Sequence, residues 1–170
     1  MKAIAAFLAL LWPLLAFASI YSKVEVDRDG KRLIITTADG RKLMPRRLPR
    51  QLAFDSPAVS GDGKRVGWLA LYPNCCTSYP IPLKIVVLER EKRLRTLTGN
   101  GQPIFSWCFL GEGAEVAFRQ GVLHGSNYRH FERRRLSDGK LLSEYDYPHE
   151  EQENQLARQL APPWVQCVPE

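Results

Sequence analysis

Catalytic signatures are what this sequence most clearly lacks. It has no G-x-S-x-G nucleophile motif, no H-E-x-x-H zinc motif and no glycine-rich phosphate loop before a helix. Carboxylates that could act as acid or base, such as Asp138, Glu144 and Asp146, fall in or near predicted turns, where solvation and turn hydrogen bonds account for them. The sequence therefore predicts neither enzyme activity nor a bound cofactor.

A long apolar run is lacking as well. The longest one, at the amino terminus, starts after Lys2 and is interrupted by Pro13, so it falls short of the ~18 to 20 residues that a spanning helix needs. It ends on small residues at Ala18, which is the layout of a secretory signal peptide. We predict cleavage between Ala18 and Ser19, a periplasmic or secreted protein, and no membrane span after cleavage.

Residues 19–170 are enough for one domain with a single core. The chain is basic, with a formal net charge of +6, and the surplus is concentrated in residues 41–50 and 133–135. Aromatic residues do not alternate with these arginines as they do in proteins that stack nucleotide bases. We therefore expect a solvated basic surface that does not bind nucleic acid.

Strand patterns account for most of the chain. Residues 19–50 predict an N-terminal meander, because Val24 and Val26 alternate with charged residues and a β-branched run at 33–37 lies between two Asp-Gly turns. Residues 54–99 and 102–148 then form an approximate duplication at an offset of 50. Each copy predicts a strand, a glycine-rich turn, a strand, a polar loop, a longer strand, a turn and a last strand. The matched residues are Gly61 and Gly111, Gly63 and Gly113, Val66 and Val116, Gly67 and Ala117, and Trp68 and Phe118.

The first copy, SGDGKRVGWL at residues 60–69, resembles the repeat signature of TolB-like β-propellers. The residues that carry the resemblance are Ser60, Asp62, Gly63, Lys64, Val66, Gly67 and Trp68. The second copy departs from it at Leu110, Glu112 and Ala114. The resemblance implies blade-like four-stranded sheets and partner binding as the default role.

The predicted fold class is all-β, with antiparallel four-stranded blade-like repeats that form an incomplete propeller or a sandwich. A propeller needs about four blades, so we expect either small sheets packed face to face or a ring completed by another copy as a homo-oligomer. Residues 149–170 predict a short C-terminal helix, acidic at its start, followed by an extended tail that holds Trp164 and Cys167.

Four cysteines in an exported chain favour disulfides. Cys108 ends the strand before the second glycine-rich turn, whereas Cys75 and Cys76 lie in a loop at the opposite end of their own repeat. We therefore predict a Cys108–Cys167 disulfide that pins the tail. Two alternatives stay open for the other pair: Cys75 and Cys76 bond each other, or one of them bonds Cys167 while the other is buried.

The polar loops of the two repeats, PNCCTSYP and LHGSNYRH, should emerge on one rim. We predict that this rim is the binding surface for a protein or small ligand that the sequence does not name. Its candidate residues are Cys75, Cys76, Tyr79, His124, Tyr128 and His130. The alternative function is a metal-handling or thiol-redox protein that uses Cys75 and Cys76 with His124 and His130, although their spacing matches no recurrent metal motif, and no metal site is predicted.

Overall fold

The computed structural model of the chain describes residues 20–89, 93–124, 128–147 and 159–169. The predicted signal peptide and residues 148–158, which include most of the predicted C-terminal helix, lie outside these ranges. No helix within the described residues is long and apolar enough to cross a membrane.

The described residues form eleven antiparallel strands in three sheets, which confirms the all-β prediction. The first sheet contains β1 (Tyr21–Val26), β2 (Leu33–Thr37) and β3 (Lys42–Leu43). The second contains β4 (Ala53–Val59), β5 (Val66–Tyr72), β6 (Ile81–Leu88) and β7 (Leu94–Leu97). The third contains β8 (Ile104–Leu110), β9 (Glu115–Gln120), β10 (Arg129–Arg135) and β11 (Leu141–Tyr147). In each sheet, strands that are consecutive in the chain are neighbours, so both repeats form the predicted four-stranded meanders.

The three sheets stack face to face in chain order. One apolar cluster lies between the first and second sheets and includes Ile35 and Trp68, and a second lies between the second and third sheets and includes Ile85 and Phe118. Trp68 and Phe118, which the repeat alignment matches, are both fully buried, and each faces the preceding sheet. The duplication in the sequence is therefore a duplication of the packing arrangement.

Hydrogen bonds also join neighbouring sheets. The carbonyl of Gly63, in the glycine-rich turn of the first repeat, accepts bonds from the amides of Ile20 and Tyr21 at 2.9 and 2.8 Å. The indole Nε1 of Trp107 donates to the carbonyl of Ser56 at 2.9 Å. The first pair of bonds joins the first sheet to the second, and the indole bond joins the third sheet to the second.

The carboxyl-terminal tail covers the outer face of the third sheet. Val165 and Val168 are buried against Phe131 and Tyr147. Cys167 forms a disulfide with Cys108, which confirms the predicted pairing. The alternative, in which Cys167 bonds Cys75 or Cys76, is therefore excluded.

The prediction of an extended tail is wrong in part. A four-residue helix, α1 (Pro163–Gln166), carries Trp164 and ends next to Cys167. The physical reason lies in its first residue, since proline has a fixed φ suited to the first turn of a helix and needs no amide partner there. Pro163 therefore begins a helix within the segment predicted to be extended.

The turn of the first repeat explains why its signature contains Ser60 and Asp62. Asp62 accepts hydrogen bonds from the Ser60 hydroxyl at 2.6 Å and from the Lys64 amide at 3.0 Å. Ser60 Oγ in turn accepts a bond from the Arg65 amide at 3.0 Å. Partial burial raises the pKa of Asp62, but these hydrogen bonds and the charge of Arg65 outweigh burial and leave the pKa below its ordinary value. The motif is therefore architectural.

Because the folded-state pKa of Asp62 is lowered, its charge stabilises the fold above the unfolded pKa of about 3.9, and this contribution disappears as the pH falls through the folded value. We expect Asp62→Asn to lower the free energy of unfolding at pH 7 by about 1 kcal/mol. The difference from wild type should shrink below pH 4, as measured by urea unfolding at several pH values. Glu112→Gln, at the exposed equivalent position of the second repeat, is the control and should change neither value. A deficit in Asp62→Asn that is as large at pH 3 as at pH 7 would show that the charge is not responsible.

Candidate functional site

The loops at residues 73–80 and 121–128, which we call the rim loops, begin where β5 and β9 end. The ladder pairs Tyr72 with Ile81 and Gln120 with His130, so each loop closes an equivalent hairpin. At the opposite edge the two glycine-rich turns touch, since a Cβ at Gly113 would lie 2.6 Å from the Cβ of Ser60. The rim loops therefore share one edge of the stack, as predicted, although residues 125–127 lie outside the described ranges.

A depression of about 240 Å³ lies beside the second rim loop. Phe105 and Val122 form its apolar part, and both remain 39 % exposed. The guanidinium carbon of Arg119 lies 5.8 Å from the centre of the Phe105 ring, and Arg129 adds a second guanidinium group. We call this depression the rim pocket. Its lining residues are Phe105, Arg119, Gln120, Gly121, Val122, Tyr128 and Arg129.

A buried polar network supports the inner wall of the rim pocket. Gln120 is fully buried, donates from Nε2 to Glu132 Oε1 at 2.8 Å, and accepts from the Asn100 amide at 2.8 Å. Arg134 Nε donates to the other oxygen of Glu132. A Cβ at Gly99 would lie 1.5 Å from Gln120 Oε1, so only glycine leaves room for this amide. Since each group in the network has a partner, the wall is held in one arrangement.

His130 is not the exposed loop residue that the sequence predicted. It lies in β10, is 7 % exposed, and its Nδ1 is 2.6 Å from Asp146 Oδ1. The register of β10 explains this correction. His130 pairs with Gln120 of β9 and with Asp146 of β11, so the last residues of the predicted loop belong to the sheet. Its Nε2 is 3.4 Å from Glu132 Oε1. Carboxylates therefore face both ring nitrogens, which is a structural arrangement and not that of a general base beside a nucleophile.

Tyr128, by contrast, remains at the rim, and its hydroxyl donates to Asp146 Oδ1 at 2.8 Å. This bond raises the pKa of Tyr128. Burial raises the pKa of Asp146, but the hydrogen bonds from His130 and Tyr128 outweigh burial and leave that pKa below its ordinary value. The ring of Tyr128 stacks on that of His130 with 6.4 Å between centres. Asp146 and His130 thus hold a rim aromatic in place.

The first rim loop exposes both cysteines as free thiols. Their sulfur atoms lie 2.7 Å apart, so they are adjacent but the predicted Cys75–Cys76 bond is not formed in this structure. The hydrogen bond with Cys75 and the charge of its sulfur raise the pKa of Cys76. Tyr79, in the same loop, is 49 % exposed.

The structure does not bring the four proposed metal ligands together. Cys75, Cys76, His124 and His130 all belong to the described residues, and no three His, Cys, Asp or Glu side chains within those residues are grouped so that they could hold a metal ion. His124 is exposed in its loop, whereas His130 is turned into the sheet. The structure therefore provides no geometry for a mixed Cys/His centre.

Sequence reasoning missed the pocket and its network. Under the repeat alignment, Arg119 and Gln120 occupy the positions of Leu69 and Ala70, which lie in the apolar strand β5. A polar pair in the place of a buried apolar pair was the indication available in the sequence. This polar pair can be interpreted only when the structure shows that Gln120 binds the buried carboxylate of Glu132.

No protein-family model matches the chain, and no curated protein matches it at a significant level.

Proposed function

We propose that the protein is an exported binding module that holds a partner at its rim, without catalysis. The observation that carries this proposal is the rim pocket, in which exposed apolar groups of Phe105 and Val122 lie beside two guanidinium groups. Exposed aromatic residues next to arginine are typical of the few side chains that dominate binding energy. The Cys108–Cys167 disulfide supports export, since disulfides persist in oxidising compartments.

The size of the rim pocket favours a peptide segment over a drug-sized ligand. Sites for such ligands usually enclose ~300 to 1,000 Å³, whereas this one encloses about 240 Å³. One large side chain of a partner fills that volume. We propose that the pocket accepts an aromatic or apolar anchor residue from another polypeptide.

The charge of the pocket indicates what accompanies the anchor. Arg119 and Arg129 both line it, so two positive charges lie beside the apolar groups of Phe105 and Val122. A guanidinium group binds a carboxylate through two parallel hydrogen bonds. We therefore propose that the anchor lies next to an anion, as a carboxyl-terminal aromatic residue does.

The propeller-like interpretation belongs to the same proposal. Its support is that each repeat is a four-stranded meander, that the sheets stack in chain order, and that equivalent residues face the preceding sheet. At one end of the stack the first sheet carries an exposed Lys23–Glu25 ion pair, and at the other the tail covers the third sheet. Within the described residues, the first sheet is thus polar at this ion pair and the third sheet is covered by the tail, while assembly into a homo-oligomer stays a prediction.

The test is a binding titration followed by fluorescence anisotropy. The probe is a fluorescein-labelled tetrapeptide of three alanines and a carboxyl-terminal phenylalanine, compared with its carboxyl-terminal amide and with unlabelled 3-phenylpropionate as a competitor. We expect the free-acid peptide to bind, the amide to bind about tenfold more weakly, and Phe105→Ala to weaken binding about tenfold. Competition by 3-phenylpropionate would identify the shared aromatic acid as the ligand, whereas its failure would show that the peptide backbone is required.

Leu141→Ala is the matched control. Leu141 is also 39 % exposed, but it begins β11 at the edge of the third sheet away from the rim. This variant should bind the peptide like wild type. Equal loss in both variants, or no binding of either peptide, would contradict the proposal.

A further inference from the structure

The Cys75–Cys76 dipeptide is a second candidate site, independent of the rim pocket. Both thiols are exposed and free, although the other two cysteines of the chain are joined. Their sulfur atoms are 2.7 Å apart. The two accessible thiols are therefore within reach of each other.

The loop around the dipeptide is braced by its own side chains. Asn74 Nδ2 donates to Thr77 Oγ1 at 3.1 Å across the two cysteines, and Thr77 Oγ1 donates to the carbonyl of Tyr79 at 2.7 Å. Pro73 and Pro80 flank the loop, and proline limits the conformations available to it. The side-chain bridge therefore holds both sulfur atoms at the tip of a turn.

Covalent geometry sets the character of a bond between them. Neighbouring Cα atoms lie ~3.8 Å apart, below the usual ~4.4 to 6.8 Å for a disulfide. A disulfide between neighbours is consequently strained, and strained, exposed disulfides are the reducible ones that take part in exchange. Cys108–Cys167 has a Cα–Cα separation of 6.1 Å, within the usual range. One pair is suited to staple the fold, and the other to react.

We propose that Cys75 and Cys76 form a thiol–disulfide exchange site whose co-reactant is an accessible disulfide. Cys75 attacks as the thiolate, and Cys76 resolves the mixed disulfide. No histidine and no metal ion takes part.

The reaction balances in two steps. The Cys75 thiolate attacks one sulfur of the co-reactant disulfide, so a Cys75–co-reactant bond forms, the co-reactant S–S bond breaks and one thiolate leaves. Cys76 then loses its proton and attacks Cys75 Sγ, so the Cys75–Cys76 bond forms and the second thiolate leaves. The dithiol is oxidised by two electrons, the co-reactant disulfide is reduced by two, and the two protons released by the cysteines end on the two leaving thiolates. The reverse sequence oxidises a co-reactant dithiol.

The order of the two cysteines follows from their contact. The charge of the Cys75 sulfur and the hydrogen bond with it raise the pKa of Cys76. Both causes disappear once Cys75 is blocked in a mixed disulfide, so Cys76 then gives up its proton more easily. This suits Cys76 to the resolving role.

The experiment uses the full chain in buffers with increasing ratios of oxidised to reduced glutathione, with quenching by alkylation and intact-mass analysis. We expect two alkylatable thiols at the reducing end and none at the oxidising end, with the product two hydrogens lighter and a Cys75–Cys76 cross-link in the peptide map. Cys76→Ser should stop at a glutathione adduct on Cys75. Cys75→Ser, which also lacks a second thiol to complete the exchange, should stop at a glutathione adduct on Cys76. Insulin, in place of oxidised glutathione, shows whether a protein disulfide reacts as well as a small one.

Two results would overturn the proposal. One is that both thiols remain alkylatable at every ratio and with insulin. The other is that the wild-type chain collects two glutathione adducts, one on each cysteine, with no Cys75–Cys76 cross-link, which would mean two independent surface thiols. Phe105→Ala, which weakens peptide binding at the rim pocket, should leave exchange unchanged, so the two proposals fail separately.

Discussion

Replacing both Cys108 and Cys167 with serine should lower the free energy of unfolding by about 4 kcal/mol, the value the loop-entropy relation gives for cysteines 59 residues apart. The disulfide holds α1 against the third sheet, where Val165 and Val168 are buried. Without the bond, the unfolded chain has more conformational entropy, so the free energy of unfolding falls. In the folded state, only noncovalent contacts then hold the tail against the third sheet. In a domain of this size, 4 kcal/mol corresponds to a fall in melting temperature of about 10 °C.

Urea unfolding followed by tryptophan fluorescence measures this loss. The matched control replaces Cys75 and Cys76 together with serine, which removes the same number of sulfur atoms from an exposed loop. That variant should unfold within about 0.5 kcal/mol of wild type. If the two double variants unfold alike, the Cys108–Cys167 bond does not stabilise the fold.

Gly67→Ala is expected to destabilise the protein by about 1 to 3 kcal/mol, because the interface between the second and third sheets has no room for one more carbon. A Cβ at Gly67 would lie 2.3 Å from Cη2 of Trp107, whose ring is buried and whose Nε1 is hydrogen-bonded to Ser56. The ring can yield only by breaking that bond or by separating the sheets. Thermal unfolding followed by circular dichroism measures the cost.

Gly61→Ala is the control for this prediction, since a Cβ there would meet nothing closer than 3.5 Å. A second control is Trp107→Phe, whose smaller ring lacks the clashing carbon. In combination with Gly67→Ala it should cost less than the sum of the two single changes. Strict additivity would show that Gly67 and Trp107 do not oppose each other.

Most of the fold was predictable because it is encoded locally. Alternation of apolar and polar residues predicts strands, Asp-Gly pairs predict the turns, and the offset of 50 matches Trp68 with Phe118, which the structure buries in equivalent positions. The Cys108–Cys167 pairing followed from the same reasoning, since strand order places Cys108 away from the loop that holds Cys75 and Cys76. The error at α1 arose because Pro163 is compatible with both the end of one helix and the start of another.

The site was less predictable. The sequence indicates that the rim loops share an edge, and it identifies Tyr79 and Tyr128 as rim aromatics. It does not indicate that the His130 side chain is buried beside Asp146, because that contact depends on the pairing of β10 with β11. Nor does it indicate the rim pocket, because Phe105 and Arg119 meet only when β8 and β9 pair.

The sequence by itself determined the strand order, the duplication and the tail disulfide, since each depends on residue types at short or regular spacings. Only the tertiary structure decided that Gln120 and Glu132 are partners, that Phe105 and the arginines form one pocket, and that the Cys75 and Cys76 thiols are exposed together. The physical reason is that a side chain's environment depends on groups distant in the chain. Periodicity records which face of a strand is buried, but not what it is buried against.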